Sequence, residues 1–479
     1  MNFRNKLSPH TYLWAILIFL MLSRLMFIGA YPLADTTEAR YGEMGRLMLE
    51  TGDWITPQFE KGIPFWGKPP LSFWLTAASF KLLGIHEFSA RLPSFLLGIA
   101  VVAMVFNLGK YRLDQKNALI ACVIMTSSII FWISSGAVMT DHCLLAGTTL
   151  SMVGFWRCIT AAKNTGRIWG ILFFMGLSIG LMAKGPVAVV LIFFPVLSWC
   201  LIPKRMNLIL KLPWLTGMGL TLLLSLPWYV AAELKTPGFL EYFIVGEHWN
   251  RFLVSGWKGD LYGSAHAQPK GMIWAFWVVC AFPWSIFLPL LLMKKKNRNL
   301  FTATVRESQS WFLYLVLWAT TPMVFFTMAG NILWAYVLPG IPAFSLVIAG
   351  LIHRQSWAQN IVQKIACIIL TLFLSVSIVV VTEIGPDLNS QKKLLGYFNR
   401  ISHGENLYYF NWRPFSAEFY SRAAVGEIIS VFDIKDLFED NQKSYLAVKN
   451  KHVMIIPKDI MSSFDIKKKI NGYVLFQEK

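Results

Sequence analysis

Charge is what this sequence has least of: 15% of its 479 residues are Asp, Glu, Lys or Arg, whereas 55% are hydrophobic. That balance excludes an ordinary pair of water-soluble domains and makes a membrane protein the default reading. Acids are the scarcer sign, 26 Asp and Glu against 44 Lys and Arg, for a formal charge of +18. Such an excess suits nucleic acid, anionic lipid or a membrane orientation signal, and the placement of the charges decides between them. Cysteine is scarce too. All six, Cys122, Cys143, Cys158, Cys200, Cys280 and Cys367, fall in or at the ends of apolar stretches without metal-type spacing. Neither a disulfide framework nor a zinc knuckle is expected.

What is present is a succession of apolar stretches, at 12–31, 92–109, 118–134, 142–161, 168–182, 186–202, 213–232, 272–293, 311–328, 336–352 and 365–382. Most run about 17 to 21 residues, enough to cross a hydrocarbon core of about 30 Å. Only Lys184, Gly185 and Pro186 divide the fifth from the sixth, so a re-entrant hairpin stays open there. The fold class is a polytopic α-helical membrane protein of about 11 to 13 spans over residues 1–382. A soluble tail, 383–479, follows. The first span is too long for a signal peptide and lacks its small-residue cleavage pattern, so it reads as a retained anchor.

Alternate connections are basic: Arg4 and Lys6; Lys110, Arg112 and Lys116; Lys163 and Arg167; Lys204, Arg205 and Lys211; Lys294, Lys295, Lys296, Arg298 and Arg306; Arg354 and Lys364. The positive-inside rule puts these in the cytoplasm, with the N-terminus. An odd number of spans then places the tail outside, in the periplasm of a Gram-negative cell. The basic excess needs no nucleic-acid partner.

Two outward connections, 32–91 and 233–271, hold most of the outer polar residues. Long loops of this kind are uncommon unless functional. In the first, Thr37–Glu50 and Leu71–Leu83 have helical period, with Trp54, Trp66 and Trp74 suited to headgroup depth. Asp35, Glu38 and Arg40 follow the first span directly, a set suited either to acid–base chemistry or to a capped helix N-terminus. Asp141, next to His142 at the outer start of the fourth span, offers the same two choices. Lys68 before Pro69-Pro70, and Arg251 in Glu247-His248-Trp249-Asn250-Arg251-Phe252, are cations that suit a phosphate clamp or headgroup snorkelling. Lys184 is either an ionisable group at membrane depth or a helix end at the surface. Tyr336 suits an aromatic belt.

These segments, in order, resemble the ArnT and protein O-mannosyltransferase superfamily, membrane glycosyltransferases of the GT-C fold. The likeness rests on Asp35-Thr-Thr-Glu-Ala-Arg-Tyr41, Lys68-Pro-Pro70, Ala90-Arg-Leu-Pro93, Met139-Thr-Asp141, Lys184-Gly-Pro186, Glu247-His248 with Arg251-Phe252, and Tyr336-Val-Leu-Pro339. It implies transfer of a sugar, with inversion, from a polyprenyl (undecaprenyl) phosphate donor to a lipid A, glycan or protein acceptor at the outer face of a bacterial inner membrane. It implies that Asp35 or Glu38, with Asp141, lines the transfer site, and that Lys68, Arg251 and Tyr336 hold the carrier phosphate. Arg40 joins these as a donor-binding candidate; Glu247, His248, Lys184 and His142 are further candidates. Closer relatives carry an acid before the lysine that shares a zinc with the loop histidine. Gly67 stands there in this chain, which puts a zinc at His248 in doubt, and no other cofactor is expected. The acids of the first loop, adjacent in the aminoarabinose transferases, are separated here by Thr36 and Thr37.

In the tail, Leu407–Phe410, Ile428–Phe432, Tyr445–Val448, Val453–Ile456 and Tyr473–Phe476 read as strands, and Phe415–Arg422, Lys435–Asn441 and Asp459–Ile470 as helices. Alternation of this kind gives a small α/β domain, for acceptor guidance or as a structural cover. A lipid-linked-sugar flippase without chemistry is the rival function. It fits less well, because no repeat is evident and the acids cluster at one face.

Overall fold

The computed structural model describes residues 9–201, 205–293, 295–384, 388–436 and 443–479. Arg4, Lys6, Lys204, Lys294 and most of the helix expected at Lys435–Asn441 lie outside these. Among the described residues, seven helices are long and apolar enough to cross a membrane: His10–Phe27, Glu87–Arg112, Asp141–Thr160, Lys163–Lys184, Trp214–Lys235, Trp334–Leu351 and Ser356–Thr382. An eighth span arises if Met272–Cys280 and Trp284–Met293, bent by 91°, count as one. The bend falls at Pro283, which has no N–H to continue the helix. Leu71–Leu83, Pro186–Leu201 and Ser310–Phe326 are shorter apolar helices, and the stretch at 118–134 divides into Gln115–Thr126 and Ile129–Ser134. Outward-facing leucines such as Leu215, Leu223 and Leu234 stay exposed, as a lipid-facing helix requires. The interior is filled by rings, including Trp156, Trp199 and Trp311, whose centroids stand 4.6–5.7 Å from Trp156.

Helices Asp141–Thr160 and Lys163–Lys184 form a tight antiparallel pair. Small residues permit it: a Cβ at Gly147 would lie 2.7 Å from the Gly176 carbonyl, and one at Gly154 2.8 Å from the Phe173 nitrogen. Close backbone approach at small residues is how helices associate in lipid, where apolar surface alone gives no drive. Because the connection is short, the start of the first helix meets the end of the second. Asp141 and Lys184 are therefore brought together by topology.

The first outward connection forms the helices Thr37–Thr51 and Leu71–Leu83, as its periodicity predicts, plus a small antiparallel pair, Gln58–Glu60 with Ile63–Pro64, that periodicity does not reveal. Residues 388–436 and 443–479 contain a five-stranded mixed sheet in the order Gly426–Ile428, Leu407–Phe410, Tyr445–Lys449, Tyr473–Glu478, Phe464–Ile470. Tyr445 and Ala447 pack on one face, Leu446 and Val448 on the other, so this central strand reads as a continuous apolar run. Three expectations are corrected here. Ile428–Phe432 is the end of a strand followed by the helix Val431–Asp436, and Val453–Ile456 lies largely in a 3-10 turn, Asn450–Ile455. Phe464–Ile470 is an edge strand rather than a helix, its three lysines being the charged side chains that keep an open edge from pairing further.

The helix Phe415–Ser421 docks this unit on the first loop. Phe415 and Phe419 pack with Leu33, Ala39, Phe80 and Val138, and Lys392 and Tyr420 both reach Glu87, at 2.5 and 2.9 Å.

Candidate active site

Lys68 sits ahead of Pro69-Pro70, and the helix that follows begins at Leu71. Its Nζ donates to the Gly67 carbonyl at 2.6 Å and to Glu247 at 3.1 Å. Glu247 lies in a π-helical stretch, Tyr242–Asn250, one turn before Arg251, whose guanidinium donates to both Glu247 oxygens at 3.0 and 3.1 Å. Wide turns of this kind recur at functional sites. Tyr242 also donates to Glu247, at 3.3 Å. Burial pushes the Glu247 carboxyl up, but Lys68 and Arg251 outweigh it and hold the group below the usual carboxylate range. Asp260, which no sequence signal marks, approaches Arg251 at 3.4 Å.

Asp141 is the first residue of its helix and makes no cap bond there; its Oδ1 accepts from Lys184 Nζ at 2.6 Å. Lys184 in turn lies 5.2 Å from the centroid of the Tyr336 ring. Glu38 is held from behind by Arg91, whose Nε and Nη2 reach its two oxygens at 2.9 and 2.7 Å, while the Val138 N–H adds a third bond at 3.1 Å. Arg91 itself is fully buried and also donates to the carbonyls of Ile28, Tyr31 and Pro32.

Two cavities meet at these residues. One, about 910 Å³, is rich in polar groups and takes in Thr37, Glu38, Arg40, Asp260, Ser264 and His266. The other, about 740 Å³, is walled by Val187, Leu191, Ile244, Val245, Phe252 and Phe325. Lys68, Asp141, Lys184, Glu247, Arg251 and Tyr336 line both. The charged residues singled out in four separate segments, with Tyr336 from a fifth, thus form one shared wall.

Five candidates lie outside the shared wall: Glu38, which lines the polar cavity alone, and four more. Asp35 is turned away from the polar cavity toward the C-terminal unit, where it accepts from the Ser416 N–H at 2.9 Å and from the Ser416 hydroxyl. Burial there pushes its carboxyl up to about 6, against the pull of the Ser416 bonds. Arg40 lies in the polar cavity but not in the shared wall, donating to the Tyr262 carbonyl at 2.6 Å. His142 is fully buried behind the wall, packed edge-on to Phe131 at 5.9 Å. His248 has both ring nitrogens against backbone carbonyls, Phe243 at 2.7 Å and Lys184 at 3.0 Å. A ring so engaged presents no lone pair to a metal, so the residues as placed do not fit a zinc ion, and among the described residues no cluster of three metal-ligating side chains occurs.

Residues 10–243 match the model of the dolichyl-phosphate-mannose-protein mannosyltransferase family. The chain is 27% identical over 343 residues to the undecaprenyl phosphate-alpha-4-amino-4-deoxy-L-arabinose arabinosyl transferase of Aeromonas salmonicida, covering 70% of this chain and 59% of the relative. To the enzyme of the same name from Edwardsiella ictaluri it is 29% identical, covering 66% and 55%. The chain thus spans less than two thirds of these relatives' length. The crystal structure of ArnT from Cupriavidus metallidurans bound to undecaprenyl phosphate superposes with a TM-score of 0.77 at 16% identity, over 98% of this chain and 97% of that one. The chain shares the fold of ArnT, the GT-C fold. It is a multi-pass protein embedded in the membrane. The archaeal oligosaccharyltransferase AglB from Archaeoglobus fulgidus shares the fold more distantly, with a TM-score of 0.55 at 11% identity over 92% of this chain and 70% of that one.

Proposed function

We propose that this chain transfers a sugar from a polyprenyl-phosphate carrier to an acceptor hydroxyl, at the outer face of a bacterial inner membrane. The observation that carries the reading is the shared wall: cations stand where an apolar cavity, suited to a prenyl tail, meets a polar one, suited to sugars. Relatives named for undecaprenyl phosphate sugars support the carrier.

In this reading Lys68 and Arg251 exchange Glu247 for the carrier phosphate, Arg251 through its planar fork and Lys68 as a point charge. The acceptor oxygen attacks the anomeric carbon as the carbon–oxygen bond to phosphate breaks, so the sugar inverts and the carrier leaves as a phosphate monoester. Preorganised cations in a water-poor site stabilise the charge that develops on it. Asp141 takes the hydroxyl proton. It is preferred to Glu38 because it lines both cavities, whereas the Glu38 oxygens are engaged by three donors. Asp35, outside the cavity, is assigned to docking of the C-terminal unit. No metal takes part in these steps.

Mass spectrometry of lipid A, surface glycans and exported proteins, with and without the gene, names donor and acceptor. Transfer is then measured with purified protein in detergent, where no transport step limits the rate. Lys68→Ala and Arg251→Ala each remove a charge-assisted contact of about 1.5 to 3 kcal/mol, a loss of roughly 10- to 150-fold in use of the donor, with the fold intact. Full activity of both variants across a donor titration would sink the clamp. A wild-type chain that moves lipid-linked sugar across vesicles yet never transfers it would establish the flippase instead.

A further inference from the structure

The polar cavity is completed by the C-terminal unit, through a loop that no catalytic motif marks. Strand Leu407–Phe410 ends at Asn411, whose φ of 70° turns the chain through the left-handed region. Asn enters that region more readily than other residues with a side chain. Its N–H donates to the Ile428 carbonyl at 2.7 Å. Arg413 then pins the loop from both sides, pairing with Glu418 at 2.5 Å and with Glu60 of the first loop at 3.2 Å. Its own N–H donates to Glu427 at 3.2 Å. Pro414 leads into the helix Phe415–Ser421.

The two side chains this loop presents to the polar cavity are Trp412 and Phe415. Phe415 is buried, 5.2 Å from the Phe59 ring and 5.9 Å from the Arg40 guanidinium. Trp412 stands edge-on to Phe415 at 6.3 Å and keeps 39% of its surface exposed. Docking of the unit is accomplished by Phe415 and Phe419 and does not require the indole. A half-exposed aromatic on an anchored loop, lining the same cavity as Thr36, Thr37, Arg40, Ser264 and His266, offers an apolar face together with hydrogen-bonding groups. That combination suits a sugar ring, whose C–H face lies on the indole while its hydroxyls meet polar side chains. A prenyl tail finds its match in the other cavity, away from Trp412.

We infer that Trp412, backed by Phe415, is a subsite for a sugar ring of the acceptor. The inference rests on the transfer reading and narrows it: the acceptor is a glycan or a glycolipid headgroup rather than a peptide, and the C-terminal unit selects it.

Purified full-length protein in detergent is titrated with undecaprenyl phosphate and, separately, with the soluble glucosamine disaccharide that heads lipid A. Trp412→Ala is expected to weaken the disaccharide by about 10-fold and Trp412→Phe by less than about threefold, with undecaprenyl phosphate unaffected in both. In turnover the same Ala variant raises the acceptor KM and leaves kcat in place. Unchanged disaccharide affinity in Trp412→Ala overturns the subsite. So does equal loss of both ligands, the mark of a loop needed only for structure, and so does a wild-type chain that glycosylates a peptide and binds no saccharide. A wild-type chain that binds the disaccharide through Trp412 but transfers nothing keeps the subsite and overturns the transferase reading.

Discussion

Acid–base side-chain pairs of similar geometry occur in two regions of this protein with opposite consequences. In the shared wall, Lys68, Arg251 and Glu247 meet at 3.0–3.1 Å, and Lys184 meets Asp141 at 2.6 Å. Behind the wall and under the C-terminal unit, Arg91 meets Glu38 at 2.7 Å and Arg413 meets Glu418 at 2.5 Å. Distance does not separate the sets. What differs is the surroundings: each partner in the wall borders space that a ligand can fill, whereas Arg91 and Glu418 are enclosed by protein on every side. A pair whose partners can be exchanged for a substrate is machinery. One that cannot be exchanged fixes the fold.

The sharpest way to break this distinction is Arg91→Ala. It leaves Glu38, at the edge of the polar cavity, without its cation and strips donors from three backbone carbonyls. Removing one partner of a buried pair costs about 3 to 5 kcal/mol, a large share of a typical stability of about 5 to 15 kcal/mol. Little monodisperse protein should be recovered from membranes; a variant with wild-type yield and melting temperature would show that the pair is not structural. Asp141→Asn should do the reverse. Loss of a positioned base lowers transfer by about 10²- to 10⁴-fold while yield and undecaprenyl phosphate binding persist. Should Asp141→Asn remain active while Glu38→Gln is inactive but folded, the two carboxylates exchange roles.

Much of the wall was legible in the sequence, because its members are charges that a membrane protein keeps only for a reason: Lys68 before two prolines, Glu247 and Arg251 one turn apart, Lys184 between apolar stretches. The choice between Asp35 and Glu38 was not. They lie three residues apart, and what separates them is Ser416, 381 positions from Asp35, which claims the first acid for docking. Arg91 borders the apolar run at 92–109, and its partner is set by packing of the first loop. The lysines of Phe464–Ile470 favour a helix locally, and pairing with Tyr473–Glu478 overrides that preference. Trp412 carried no signal at all, since its place depends on the turn at Asn411 and on Arg413 reaching Glu60 across the chain.

The smallest expected effect tests the enclosed set through pH. Burial pushes the Glu418 carboxyl up to about 8; Arg413 pulls against the rise, and Glu43 and Glu60 add to it. The folded chain therefore retains a proton that the unfolded chain, with a carboxylate of ordinary value, gives up at about pH 4. The stability this provides is fully present below that value and is lost as pH rises through about 8. Asp35, raised to about 6, acts in the same direction but has largely titrated by pH 7. Between pH 6.5 and 8.5 the melting temperature of the wild type should fall, and Glu418→Gln, which cannot release a proton, should flatten that fall by roughly one or two degrees. Equal slopes would place the titration elsewhere. A variant that instead loses acceptor affinity at every pH would show that the Arg413–Glu418 pair also holds Trp412 in place.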